Sequence, residues 1–269
     1  MAHSDTNFAG SIPAIYERCL GPFIFEPYAQ DIAQRANKLA PERVLETAAG
    51  TGIVTRALAA ALPPAAEIIA TDLNQAMLDM AATKLSAQNV TWKQADAQAL
   101  PSEAGSFDLV VCQFGAMFFP DKHRAYGEAR RVLREGGVFL FNVWDSIETS
   151  EIVHVIAEAV KAAFPEDSPR FLERTPYGYH DVNRIRDELR SAGFTRVEIE
   201  TVEKVSRAPS AREPAVGFCQ GSPLRSEIEA RDRSRLEEVT DRAAEAVAAR
   251  YSRGEVSGKI SAHVITAAP

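Results

Sequence analysis

From Val44 to Trp144 the chain alternates apolar runs of strand length with amphipathic stretches of helix length, and this alternation limits the fold more than any other feature. "RVLET" and "EIIATD" are apolar runs closed by a polar residue, as in strands buried on both faces of a parallel sheet. Between them "GIVTRALAAAL" sets Val54, Leu58 and Leu62 on one helical stripe, and the prolines of "LPP" stop it. "NQAMLDMAATKLS" (helix), "VTWKQAD" (strand), "FDLVVCQF" (strand), "DKHRAYGEARRVLREGG" (helix) and "VFLFNVW" (strand) complete the series. Asp121 is placed to cap the long helix, and Gly136-Gly137 to follow its end. Repeats of this kind build βαβ units, so the expected fold class is α/β with a parallel sheet.

Both flanks are different in character. Residues 1–40 read as helical, most clearly in "FEPYAQDIAQRANKLA". After Trp144 a helix near 150–163 leads into "FPEDSPRFLERTPYGYHD", a loop with prolines and aromatics. In "DVNRIRDELRSAGF" Val182, Ile185 and Leu189 share a helix face and Gly193 ends it; "RVEIETVEKVSR" alternates as a strand. Residues 209–252 are mostly helical and charged, and "GKISAHVITAA" reads as a last strand. With no repeat and no flexible linker, the expectation is one domain over 1–269: a helical cap at 1–40, a core at 41–145, and a C-terminal half at 146–269 with helical insertions at about 146–180 and 209–252.

A formal net charge of −7 lacks the basic balance of a nucleic-acid binder, and the four arginines of "RAYGEARRVLR" read as a solvated helix face. The N-terminus has no basic region followed by an apolar run, and no stretch reaches the roughly 18 apolar residues of a membrane span. Cys19, Cys112 and Cys219 are widely spaced without a CxxC pair, which argues against a disulfide framework or a zinc site. The expectation is a cytoplasmic protein with no metal, no nucleic-acid partner and no membrane partner.

In an open α/β sheet ligands bind beyond the carboxyl ends of the strands, where the strand order reverses. Those ends hold Glu46 followed by "AAGTG", then Asp72, Asp96, and Gln113-Phe114. Gly50 and Gly52 permit close approach of a ligand to the backbone, and the helix starting near Ile53 aims its N-terminal amides at the same place. Asp72 follows Gly50 by 22 residues, close to the ~20 of an acid that grips ribose hydroxyls. Together these point to an adenosine-containing cofactor. Each piece also has a plain structural reading: the glycines as a tight turn, Asp72 as a helix cap, Glu46 and Asp96 as ordinary carboxylates.

The motifs "VLETAAGTG", "IIATDLNQAML", "KQADAQALP", "FDLVVCQFGAMFFPD" and "EARRVLREGGVFLFNVW", in order over about residues 40–145, resemble the class I S-adenosylmethionine (SAM)-dependent methyltransferases, in particular the small-molecule branch similar to ubiquinone and menaquinone methylases. The resemblance implies a Rossmann-like, mostly parallel seven-stranded sheet with helices on both faces and an antiparallel final strand. It also implies SAM as methyl donor, S-adenosylhomocysteine as product, and a small-molecule acceptor. By resemblance, Glu46 and the backbone of Ala48, Gly50 and Gly52 surround the methionine part. Asp72 accepts the ribose hydroxyls, with Leu73 and Met77 beside the adenine. Asp96 takes the adenine amino group and Ala97 meets the ring, while Gln113 and Phe114 lie near the sulfonium. Tyr16 closes over the cofactor.

The family often has glycine where Ala48 stands, and Thr55 occupies the third-glycine position of the dinucleotide motif, so the loop suits SAM better than NAD. A nicotinamide-dependent oxidoreductase and a SAM-binding module without turnover are the competing readings. "FGAMFF", with Phe114, Met117, Phe118 and Phe119, reads as an aromatic wall at the methyl or as core packing. Among the histidines His180 is the candidate general base, on a loop before a helix; His154 lies on the helix after the fifth strand, His123 on a charged helix and His263 in the last strand.

Overall fold

The computed structural model describes Asp5, Phe8 and residues 10–269. In chain order the elements are α1 (Ile12–Ile15), a π-helical segment (Tyr16–Phe25), α2 (Glu26–Leu39), β1 (Arg43–Glu46), α3 (Ile53–Ala61), β2 (Glu67–Asp72), α4 (Gln75–Lys84), β3 (Val90–Gln94) and β4 (Phe107–Gln113). Then come α5 (Lys122–Val132), β5 (Leu133–Trp144), α6 (Glu151–Ala163), α7 (Phe171–Arg174), α8 (Val182–Ser191) and β6 (Arg196–Ala208). The last are α9 (Arg212–Gln220), α10 (Leu224–Asp232), α11 (Leu236–Arg250) and β7 (Val256–Ala268). They form two compact units: a sheet unit of residues 28–144, 179–202 and 262–269, and a helical unit of residues up to 27, 145–178 and 203–261.

The seven strands are ordered β3-β2-β1-β4-β5-β7-β6. β3 to β5 are parallel, and β7 pairs antiparallel with β5. This is the Rossmann-like sheet of the methyltransferases, as expected. Val44 and Leu45 of β1 and Leu109 to Cys112 of β4 have no exposed surface, which is why these strands read as unbroken apolar runs. Tyr28, Ala29, Ile32, Ala33 and Ala36 form the buried stripe of α2. Tyr126 of α5 lies on Phe139 and Phe141 of β5 and bonds the Tyr179 hydroxyl at 3.0 Å, which in turn donates to Glu188 of α8. Burial raises the pKa of both tyrosines, so both hydroxyls stay protonated.

Asp121 caps α5 by accepting from the Arg124 amide at 2.9 Å, but the helix ends at Val132, short of the two glycines. Leu133 is already extended and pairs with Phe107, and the next pair is Leu109 with Val138. Gly136 (φ +76°) and Gly137 therefore serve an irregularity in β5 rather than a helix end. A Cβ on Gly137 would come within 3.0 Å of the Arg134 carbonyl and 3.1 Å of the Asp108 carbonyl.

In the helical unit α9 meets the π-helical segment closely; a Cβ on Gly217 would fall 2.6 Å from Leu20. Buried Asp5 accepts from Arg174 and from the Thr175 hydroxyl, each at 2.7 Å, and Arg174 also reaches Glu227. Among the described residues no helix is long and apolar enough to cross a membrane, and no cluster of potential metal ligands occurs.

Candidate functional site

The order of strands reverses between β1 and β4, and the chain after β1 is bonded to both neighbours. The Thr47 amide donates to Val111 of β4 and the Ala49 amide to Thr71 of β2, both at 2.9 Å. Pulled two ways, the turn enters the left-handed region three times: Ala48 at φ +54°, Gly50 at +56° and Gly52 at +77°. Glycine takes that region freely; alanine at 48 carries a cost of about 1–2 kcal/mol. Gly52 is also sterically required, because a Cβ there would meet Trp92 at 2.8 Å and Ala81 at 3.0 Å. Gly52 is the N-cap of α3 and offers no side chain to the free amides of the first turn, which contains no acidic residue. Thr51, 1% exposed, has a hydroxyl with no partner among the described residues.

Asp72 closes the turn from β2. Its carboxylate accepts from the Gly50 amide at 2.9 Å and the Asn74 amide at 2.8 Å. Burial pushes its pKa up against those amides. Asn74, not Asp72, is the N-cap of α4. Two amide bonds leave the carboxylate further lone pairs for hydroxyl donors. Beside it Leu73 is 49% exposed, a large apolar surface next to an acid, whereas Met77 is buried with its Cε facing Gly50. Asp96 is exposed and accepts from the Gln98 amide at 2.8 Å; Ala97 is half-buried between them.

Glu46 is 1% exposed and its carboxylate faces Thr55, whose hydroxyl lies 2.6 Å away. Burial, aided by the negative charge of Asp72, raises its pKa from 4.5 to about 8. Thr55 at the third-glycine position is thus the partner of a buried acid.

At the end of β4 Phe114 also adopts a left-handed conformation, φ +51°. Its ring stacks on Trp144 at the end of β5, centroids 3.6 Å apart and planes 5° from parallel; Tyr28 stands edge-on to both. The Phe114 amide donates to the backbone carbonyl of Asn142 at 3.2 Å and to its side-chain Oδ1 at 3.0 Å. A Cβ on the next residue, Gly115, would lie 2.4 Å from the Ala48 Cβ and 2.8 Å from the Cys112 sulfur, so the loops after β1 and β4 interlock. Gln113 is half-buried at the strand end. Cys112 has no exposed surface, and burial pushes its thiol up to about 12. In the expected wall Met117 and Phe119 are buried and Phe118 is half-buried.

The histidines separate clearly. His180 is exposed, one residue before Asp181, which caps α8, the position of a helix-entry residue. His123 is exposed with Nε2 3.1 Å from the Ser191 carbonyl, and His263 is buried with Nδ1 3.0 Å from the Thr201 hydroxyl. In the helical unit the Nδ1 of His154 on α6 and the hydroxyl of Ser150, the N-cap of that helix, are buried with no partner among the described residues. Tyr16 belongs to the same unit, stacked on Phe25 with centroids 4.8 Å apart.

The sheet unit therefore brings Ala48, Gly50, Gly52, Asp72, Met77 and Phe114 to one end of the sheet. Thr51 and Asn142 were not singled out by the sequence. "AAGTG" draws attention to its glycines, and nothing in "VFLFNVW" distinguishes one buried asparagine. The chemistry of the site fits SAM: uncapped helix amides and an orphaned hydroxyl suit an anionic group, a carboxylate with free lone pairs suits hydroxyl donors, and an exposed leucine suits an apolar ring.

The fold and this end of the sheet define a nucleotide-cofactor enzyme of the Rossmann-like type. Residues 44–137 match a family described as a methyltransferase domain. The chain is 32% identical over 169 residues to a demethylmenaquinone methyltransferase of Lactobacillus johnsonii, covering 58% of this chain and 68% of that one. It is 32% identical over 179 residues to the ubiquinone/menaquinone biosynthesis C-methyltransferase UbiE of Bordetella avium, covering 61% and 68%. A SAM-dependent methyltransferase from Aquifex aeolicus shares the fold, with a TM-score of 0.50, 17% identity, and coverage of 69% and 86%. The chain belongs to the class I SAM-dependent methyltransferases.

Proposed function

We propose that this methyltransferase acts on a small molecule and that the atom methylated is a carbon, because the relative from Bordetella avium is named a C-methyltransferase of ubiquinone/menaquinone biosynthesis. SAM supplies a methyl group on a sulfonium, already a good leaving group. What remains for the protein is placement, which can supply about 7–11 kcal/mol of a bimolecular barrier. The observation that carries the reading is the turn after β1, with left-handed positions at 48, 50 and 52, the orphaned Thr51 hydroxyl, and the uncapped α3 amides that begin at Ile53. Gly50, Thr51 and the start of α3 would hold the methionine carboxylate, Asp72 the ribose hydroxyls, Leu73 and Met77 the adenine ring, and Asp96 with the Ala97 amide its polar edge. Glu46, neutral near pH 7, would face the ammonium group as an acceptor that gains charge when the cation arrives. Gln113 and the packed ring of Phe114 would keep water from the methyl end. An acidic chain supports a small acceptor over a nucleic acid.

Incubation with methyl-labelled SAM and a panel of phenols, naphthoquinols and amines tests the reading. Label in a carbon-bound product from a quinol supports it; label only in an O- or N-methyl product overturns the carbon assignment.

A further inference from the structure

Resting on the SAM-dependent reading, the geometry assigns Asn142 of β5 as the residue that positions Phe114 against the methyl end of the cofactor. Among the described residues three without a glycine's freedom have a left-handed backbone: Ala40 after α2, and Ala48 and Phe114, which sit beyond the two strands where the sheet order reverses. Strained backbone of this kind persists only where its surroundings hold it, and it gathers at functional sites. For Ala48 the holders are main-chain bonds from its neighbours to β2 and β4. For Phe114 the main chain contributes one bond of 3.2 Å, and the shorter one, 3.0 Å, comes from the Asn142 side chain.

Asn142 has no exposed surface, is flanked along β5 by the apolar Phe141 and Val143, and pairs in register with Gln113 of β4 and Val264 of β7. Its Oδ1 is engaged by the Phe114 amide, which settles the orientation of the side-chain amide, and the Nδ2 has no partner among the described residues. A buried polar side chain that satisfies only one of its ends is costly and gains nothing for the core. A leucine of similar shape would pack there as well. What the asparagine adds is the bond that turns Phe114 over, so that its ring lies flat on Trp144 with Tyr28 edge-on. An aromatic face held this way, beside the loop that holds Ala48, is suited to a sulfonium methyl, whose positive charge it attracts. Asn142 touches neither cofactor nor acceptor; it acts through Phe114.

SAM and S-adenosylhomocysteine differ by the methyl group and its charge, so the ratio of their affinities reads the wall directly. Calorimetry with both ligands on the wild type, Asn142→Leu and Asn142→Asp provides the test, with aromatic circular dichroism to confirm packing. Asn142→Leu is expected to weaken SAM about tenfold while S-adenosylhomocysteine changes less than about twofold, the range of one cation–aromatic contact. Asn142→Asp keeps an oxygen for the Phe114 amide and is expected to restore the wild-type ratio. If Asn142→Leu does not fold, Phe114→Gly removes the ring and the strain together and is expected to lower the ratio equally. An unchanged ratio in a folded Asn142→Leu, or equal loss of both ligands, overturns the assignment. Failure of the wild type to bind either ligand overturns the cofactor reading beneath it and is seen before any variant is made.

Discussion

Glu46 shows how a single residue carries both a cost and a use. Its pKa is raised from 4.5 to about 8 chiefly by burial, so the folded chain binds a proton that the unfolded chain has released. Stability therefore falls as the pH rises from about 4.5 to about 8, at up to about 1.4 kcal/mol per pH unit, and is level above. Asp72, also raised by burial, adds a share of the same sign. Urea unfolding at pH 5, 6.5 and 8 is expected to show this decline in the wild type and a much flatter profile in Glu46→Gln. Parallel profiles would mean that Glu46 is already ionised in the fold. Binding a cation next to Glu46 lowers its pKa, so SAM affinity should rise with pH over the same window. Thr55, which departs from the dinucleotide pattern, is explained at this scale as the hydroxyl that accompanies the buried acid.

At the scale of elements the loops after β1 and β4 behave as one part. The Ala48 methyl fills the space that a Gly115 side chain would need, 2.4 Å between the two Cβ positions. Gly115→Ala should cost about 1–3 kcal/mol through overpacking. Ala48→Gly should relieve left-handed strain and recover part of that loss when the two are combined, giving a coupling of about 0.5–3 kcal/mol in a double-variant cycle by denaturation. Additive effects would show that the loops do not meet in solution. The same pair explains what was legible in the sequence. The alternation of apolar runs and helical stripes identified the five parallel strands; β1, β2, β4 and β5 carry buried apolar runs, whereas the edge strand β3 has no buried residue and was legible from its place in the alternation. The end of α5 was misplaced because Gly136-Gly137 after a helix resembles a helix stop, whereas the glycines serve a break in the β4–β5 register. Glycines at 50 and 52 announced the left-handed turn after β1, whereas nothing in the sequence marked Phe114, an aromatic residue in the same region.

On the scale of the molecule, the sheet unit contains the residues proposed to hold the cofactor, Tyr16 apart, and the helical unit contains Tyr16, Ser150, His154 and Tyr177. The strand-end residues Glu46, Asp72 and Gln113 were legible because the βαβ unit sets their spacing. Thr51 and Asn142 were not, because an unsatisfied buried atom becomes visible only after every other partner has been placed. The most direct measurement of the central assignment is a calorimetric titration of wild type and Asp72→Ala with SAM, S-adenosylhomocysteine and NADH, with melting temperature followed in parallel because Asp72 also holds the Gly50 and Asn74 amides. Saturable binding of SAM and S-adenosylhomocysteine but not NADH, weakened at least about tenfold in a folded Asp72→Ala, is the predicted result. Binding of NADH alone, or SAM binding unaffected by the loss of Asp72, would contradict it.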